Sequence, residues 1–138
     1  MNTRNLAYWI PTALFGLALT GSGIAAATHQ APMVAAYTHL GYPVYFMTIL
    51  GAAKLLGVGA LLTPGLPRLK EWAYAGFTIN LVSAVLSHLA SGDPAGNVVA
   101  PVVLLGLLLA SWRLRPASRM IGSFESAAKV GQPTLATA

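Results

Sequence analysis

Formal charges are so sparse in this chain that none lies between Arg4 and Lys54. The sequence has eight basic and three acidic residues among 138, so 8% of its residues are charged and 56% are hydrophobic. A soluble domain carries about 25% charged residues, which it needs to cover its surface. A soluble globular enzyme, a coiled coil and a disordered chain are therefore excluded, and we expect most of the surface to face lipid.

Four apolar runs follow one another along the chain, and turn-forming residues separate them. Each run approaches the roughly 20 residues that a transmembrane helix needs. The sequence therefore predicts an all-α fold, a transmembrane four-helix bundle that forms one membrane domain over residues 1–115. Residues 116–138 are rich in small and polar residues, and we expect a poorly ordered cytoplasmic tail there. The predicted spans are about 6–28, 44–62, 72–91 and 96–112.

The basic residues outside the spans sort to one side of this topology. The loops at 29–43 and 91–97 contain no Lys or Arg. By the positive-inside rule, both termini are predicted to be cytoplasmic, in the inner membrane of a bacterium, with these two loops outside. The basic residues on the predicted cytoplasmic side of the spans include Arg4, Arg68, Lys70, Arg113, Arg115 and Arg119.

The first span has one alternative interpretation. Arg4, the apolar run and the small residues 25–27 resemble a secretory signal with its cleavage site. A signal has an apolar core of about 7–15 residues, and this run is longer, which favours a retained span. Cleavage would leave the orientation of the other three spans unchanged.

Lys54 is the one formal charge inside a predicted span, eight residues before Leu62 at the end of that span. A lysine at the centre of a membrane helix costs roughly 2.5–3.5 kcal/mol. One interpretation is a topology anchor whose ammonium group reaches toward the cytoplasmic end. The other is a charge or general acid/base in the bundle core.

Small and polar residues share one face of the third span, within about 80° on a helical wheel. Such a stripe predicts either a tight helix–helix seam or a polar cleft for a small ligand. Asn80 is nearly level with Lys54, and an amide beside an amine can donate hydrogen bonds to the oxygen of a quinone, carbonyl or epoxide. The stripe comprises Gly76, Asn80, Ser83, Ser87 and Ser91.

A second polar group is predicted at the outer interface, and it contains all three histidines. One interpretation is polar helix caps within an aromatic belt. Another is haem or metal binding through His29, His39 and His88, although these have no HxH or HxxxH spacing. A third is proton handling by His88, one turn before Asp93. The tyrosines of this group are Tyr37, Tyr42 and Tyr45.

Two classes of chemistry are excluded by composition. The chain has no cysteine, which excludes disulfides, thiol nucleophiles, iron–sulfur clusters and cysteine-ligated zinc. Its basic residues are too few and too scattered to form a nucleic-acid groove, so no nucleic-acid partner is expected despite the net charge of +5.

Four segments in order, GYP at 41–43, LGAAKLLG at 50–57, LKEWAYAGF at 69–77 and SHLASGDP at 87–94, resemble the DoxX-like family of small bacterial membrane proteins. The resemblance covers roughly residues 7–113 and implies a four-helix membrane bundle. Members of the wider group are linked to sulfur and quinone oxidation, oxidative-stress complexes and membrane assembly. The sequence departs from the family at Asn80, where relatives often have Asp. The implied signature residues are Lys54, Glu71, Trp72, Tyr74, His88 and Asp93.

These observations predict a protein that binds a small apolar ligand in the bundle core, a quinone or another lipid-soluble carbonyl or epoxide. Redox or isomerase-type acid/base chemistry is compatible with such a site, and no metal site is predicted. The predicted catalytic residues are Lys54, Asn80 and His88. The predicted ligand-binding residues are Ser83, Ser87, Tyr45 and Asp93.

Two other functions stay open at this point. One is a non-catalytic accessory or assembly subunit of a larger membrane oxidoreductase complex. The other is a small-solute transporter, which with four spans requires a homo-oligomer, and no broken helix pair or inverted repeat is visible. Glu71 is expected either to pair with Lys70 or Arg68, or to act as a helix N-terminal charge.

Overall fold

The structure is a computed structural model that describes residues 3–122. These residues form helices and no strand, which confirms the predicted all-α fold. Four of the helices are long and apolar enough to cross a membrane. The helices are α1 (Thr3–Ala27), α2 (Ala31–His39), α3 (Val44–Leu62), α4 (Pro67–Ala90), α5 (Ala95–Arg113) and a 3-10 turn (Ala117–Arg119).

Two elements differ from the predicted boundaries. The third span begins at Pro67 rather than at Trp72, because proline fits the first turn of a helix, where its missing N–H is not needed. Residues 29–43, predicted as a loop, contain the nine-residue helix α2. Pro32 again lies in the first turn, so a residue that indicates a turn in the sequence starts a short helix here.

The four spanning helices form a closed ring in which α1 packs on α3 and α5, and α4 packs on the same two helices. Neighbours in this ring run antiparallel. We call the end that holds the N-termini of α1 and α4 the basic end, and the opposite end the histidine end. The short helix α2 lies at the histidine end and packs against α3 and α1.

The apolar core receives side chains from all four spans. Phe15 of α1 and Phe77 of α4 meet edge to face, with ring centroids 5.1 Å apart. The fourth span has the smallest buried share of the four, 11%, and it carries no polar side chain between Val98 and Ala110. The buried core comprises Phe15, Leu19, Val58, Leu61, Tyr74, Phe77, Leu81 and Leu108.

Glycines set the closest helix–helix approaches. A Cβ atom at Gly51 would lie 2.8 Å from both the Gly23 carbonyl oxygen and the Ala27 nitrogen, so α1 and α3 touch through their backbones. A Cβ atom at Gly57 would lie 2.6 Å from the Phe77 ring. These positions follow the small-residue packing typical of membrane helices.

We expect Gly51→Ala to lower the free energy of unfolding by about 1–3 kcal/mol, because the added methyl group must push two backbones apart. The measurement is SDS titration of the detergent-purified protein, followed by circular dichroism. Gly59→Ala is the matched control, since nothing lies within 4 Å of its added Cβ atom. The control should be unchanged or up to about 1 kcal/mol more stable. Equal midpoints for the two variants would contradict the close approach.

Candidate ligand-binding groove

A buried chain of hydroxyl groups joins α1, α4 and α5 near the basic end. The Thr12 hydroxyl donates to the Tyr8 carbonyl oxygen at 2.6 Å, which uses its one proton. The Ser111 hydroxyl, 2.7 Å from that of Thr12, must therefore donate to it. The Tyr74 hydroxyl, 2.8 Å from Ser111, then donates to Ser111. The hydrogen bonds of this hydroxyl chain therefore all run in one direction, and each of the three hydroxyl groups donates one.

Basic side chains close the same end by binding the last carbonyl groups of α3. Lys70 is fully buried, and its ammonium group donates to the carbonyl oxygens of Ala60, at 2.9 Å, and Thr63. Arg119 donates to the Leu61 carbonyl oxygen at 3.0 Å. These carbonyls have no partner within the helix, and cations at a helix C-terminus are favourable. Arg119 belongs to the predicted tail, of which residues 123–138 lie outside the described part of the chain.

Glu71 pairs across the bundle rather than with its neighbours in sequence. Arg115 donates to its carboxylate at 2.6 Å, and the Trp112 indole donates to the second oxygen at 3.3 Å. Neither interpretation of Glu71 holds: Lys70 is turned toward the end of α3 and Glu71 binds Arg115 instead of Lys70 or Arg68. Because α4 begins at Pro67, Glu71 also lies beyond its first turn and is not a helix N-terminal charge. The basic end is thus closed by side chains whose hydrogen bonds are made within the protein.

Two adjoining cavities lie between α3 and α4, and they share Leu50, Gly76 and Asn80. The first, of about 190 Å³, is lined by Lys54 and Trp72 among others. The second, of about 380 Å³, extends to α2 at the histidine end. We call the two together the α3–α4 groove. The polar stripe predicted on the third span contributes Asn80 and Ser83 to this groove, which otherwise has a mainly apolar lining.

Lys54 finds its partner on α1, not on α4. Its ammonium nitrogen lies 3.0 Å from the Ser22 hydroxyl oxygen. Ser22 is five residues from Ala27, the last residue of α1, and so lies in the half of the bundle toward the histidine end. The ammonium group therefore does not extend toward the basic end, as the anchor interpretation requires. Two of its three N–H groups have no protein partner among residues 3–122.

Asn80 lines both cavities and makes no hydrogen bond through its amide to any residue within 3–122. Lys54 and Asn80 thus line the same cavity, as the sequence predicts, but they are not bonded to each other. Together they present free N–H donors within a largely apolar surface. A groove of this kind can accept a ligand oxygen.

At the histidine end, Asp93 bridges two imidazole rings. His88, which lines the groove, donates from Nδ1 to one carboxylate oxygen at 2.6 Å. His39 donates from Nε2 to the other oxygen at 2.6 Å. The side chain of Asp93 is 7% exposed and that of His39 is 57% exposed. The hydrogen bonds from His88 and then His39 lower the pKa of Asp93, while burial acts against them.

Tyr42 lines the groove, whereas Tyr45, one of the predicted ligand-binding residues, does not. Tyr45 is 69% exposed, and it is not among the lining residues of either described cavity. Tyr42 lines the second cavity, and its hydroxyl lies 2.7 Å from that of Ser87. Ser87 donates to the Ser83 carbonyl oxygen, so Tyr42 donates to Ser87.

The pKa of Tyr37, on α2, is raised above its ordinary value. Burial is the main cause, and the adjacent Tyr42 is the second.

The three histidines do not converge on one point. His39 and His88 meet only through Asp93, while His29 is bonded to Thr48 at 2.7 Å. Within residues 3–122, no group of three or more His, Cys, Asp or Glu side chains could hold a metal ion.

Fold and groove define a small helical membrane protein with four spans and, between two of them, a mainly apolar groove that holds a few polar side chains. The family model of the DoxX-like family matches residues 10–111, most of the chain, so the protein belongs to the DoxX-like family. This confirms the resemblance predicted from the four segments. No curated protein and no solved structure matches the chain.

Because the folded-state pKa of Asp93 lies below its ordinary value of 3.8, its carboxylate stabilises the fold above that value. This stability is lost as the pH falls through the lowered pKa. We expect the SDS unfolding midpoint of the wild type to fall at acid pH, and that of Asp93→Asn to lack this part of the fall. Glu71→Gln is the control and should keep it. If the SDS unfolding midpoints of the wild type and Asp93→Asn fell by the same amount at acid pH, the two imidazoles would not stabilise the carboxylate.

Proposed function

We propose that the protein binds a small lipid-soluble molecule with a carbonyl-type oxygen, such as a quinone, in the α3–α4 groove. The observation that carries this proposal is the presence of two free donors in one cavity. Lys54 and Asn80 both line it, and the Asn80 amide has no partner among the described residues. The surrounding lining is apolar, as a lipid-soluble ligand requires.

The chemistry of the groove selects an acceptor. Ammonium and amide N–H groups donate hydrogen bonds, and a donor without a partner in an apolar environment costs about 1–3 kcal/mol. A ligand oxygen placed between them recovers that cost. A hydrocarbon without an oxygen would leave both donors unpaired, so quinones, other carbonyl compounds and epoxides are the favoured classes.

The same residues supply acid/base capacity. A lysine ammonium group can polarise a carbonyl or give a proton to an oxygen that develops negative charge. His88 lies farther along the groove, held by Asp93 through Nδ1, so that Nε2 is the ring nitrogen without a bond to residues 3–122. Redox or isomerase-type chemistry on a bound ligand would use these two groups.

We expect Lys54→Met to weaken binding of a decyl-substituted benzoquinone by about tenfold or more, because hydrogen bonds to charged groups contribute about 1.5–3 kcal/mol. Asn80→Leu should weaken it about fivefold, as expected for a neutral hydrogen bond. Binding is measured in detergent by quenching of tryptophan fluorescence, since Trp72 lines the cavity beside Lys54. Trp72→Phe identifies the contribution of that residue to the signal.

Tyr45→Phe is the matched control outside the groove, and it should bind the quinone like the wild type. Ser22→Ala removes the partner of Lys54 but keeps the ammonium group, so it should retain binding. Equal affinity of Lys54→Met and the wild type would reject the proposal. If Lys54→Met were also more stable, Lys54 would have no role in binding, and the accessory-subunit function would be favoured.

The distribution of charge supports a location in the bacterial inner membrane with both termini in the cytoplasm. Lys70, Arg115 and Arg119 all lie at the basic end. We expect a C-terminal green fluorescent protein fusion to fluoresce and a C-terminal alkaline phosphatase fusion to be inactive. A phosphatase fused after Gly92 should be active. The reverse pattern would invert the proposed orientation.

A further inference from the structure

We propose that α2 is a hinged lid over the histidine end of the α3–α4 groove, latched to the end of α4 by two side-chain pairs. The latch consists of His39 with Asp93 and Tyr42 with Ser87. The lid would control access to the groove at the histidine end. The role of the lid in ligand exchange rests on the proposed function. The contacts and backbone angles from which we infer the lid itself do not.

The short helix forms one wall of the larger cavity at the histidine end. Ala36, Tyr37 and Leu40 line this cavity together with residues of α4 that include Ala84 and His88. Removal of α2 would therefore take away one wall of the cavity and expose the α4 face, including the imidazole of His88, to solvent.

The attachment of α2 is light compared with that of the spans. None of its residues is buried. The two latch pairs link it and the following turn to α4, with bond lengths of 2.6 Å for His39–Asp93 and 2.7 Å for Tyr42–Ser87. His39 is 57% exposed, so water can replace its bond to Asp93 when the pair separates.

The backbone changes direction at a left-handed residue on each side of α2. His29 has φ of 52° and Gly41 has φ of 80°. Hinges are a few terminal residues that absorb changes in backbone angle while the elements between them stay rigid. Such positions at both ends allow the helix to swing as one body.

The two ends of the bundle differ in a way that favours exchange at the histidine end. At the basic end, Lys70 and Arg119 bind main-chain carbonyls of α3, and Arg115 binds Glu71. Opening there would uncover a buried ammonium group and break charge-assisted bonds, which are the strong class. Opening at α2 breaks one charge-assisted bond, His39–Asp93, whose imidazole is already 57% exposed, one bond between neutral hydroxyl groups, and the packing of α2 on α3 and α1, but it uncovers no buried ammonium group.

The absence of cysteine from the chain permits a direct test. Ala84→Cys places a single thiol in the covered cavity, and its alkylation by a water-soluble maleimide is timed in detergent without added ligand. We expect the reaction to be about tenfold faster when His39→Leu and Tyr42→Phe release the latch. Both latch changes keep the Asp93–His88 bond, and circular dichroism checks that the helices remain.

Val82→Cys is the matched control, because Val82 lies on the same helix, is 40% exposed and lines neither cavity of the groove. Its alkylation rate should not change with the latch. An unchanged rate at Ala84→Cys would overturn the lid, and so would equal acceleration at both thiols, which would indicate general loosening.

A second measurement separates the lid from the proposed ligand. In a protein that keeps Ala84, the two latch changes His39→Leu and Tyr42→Phe should speed dissociation of the decyl-substituted benzoquinone. Faster alkylation in a protein that binds no quinone would support the lid and reject the proposed ligand. Quinone binding with an unchanged alkylation rate would support the ligand and reject the lid.

Discussion

No water is available in the hydrocarbon core of a membrane, so buried polar groups must find partners within the protein. The bundle meets this constraint by joining its helices through those groups. The directed hydroxyl chain from Tyr74 through Ser111 to Thr12 connects three helices. Lys70 and Arg119 satisfy the free carbonyls at the end of α3. Among residues 3–122, no buried side-chain nitrogen or oxygen lacks a hydrogen bond.

Against this background, the partly exposed Asn80 amide is distinctive, because it lines two cavities without a partner in the described chain. The groove has free donors where the rest of the bundle has paired ones. Its two ends also differ: at the basic end a fully buried ammonium group and two arginines make the closing bonds, while at the histidine end a short helix with no buried residue forms one wall. The free donors support the proposed ligand, and the light attachment of α2 supports the proposed lid.

Several features of the groove could be predicted because they follow from helical periodicity. The stripe on α4 placed Asn80 and Ser83 on one face, and both line the groove. Partners across helices could not be predicted in this way. Lys54 is bonded to Ser22 of α1, and Tyr45 of α3 faces away from the cavity, because rotation about each helix axis is set by packing against its neighbours. Tyr42 reaches the cavity from the turn between α2 and α3, whose path helical periodicity does not describe.

The sequence by itself determined that the chain is an all-α membrane protein of the DoxX-like family, because span length, hydrophobicity and ordered motifs are properties of consecutive residues. Tertiary structure alone decided that Glu71 pairs with Arg115 and that Asp93 bridges His39 and His88. It also decided that α2 lines a cavity. These contacts join residues distant in the chain, and they depend on close approaches such as that of Gly23 and Gly51, which no local pattern records.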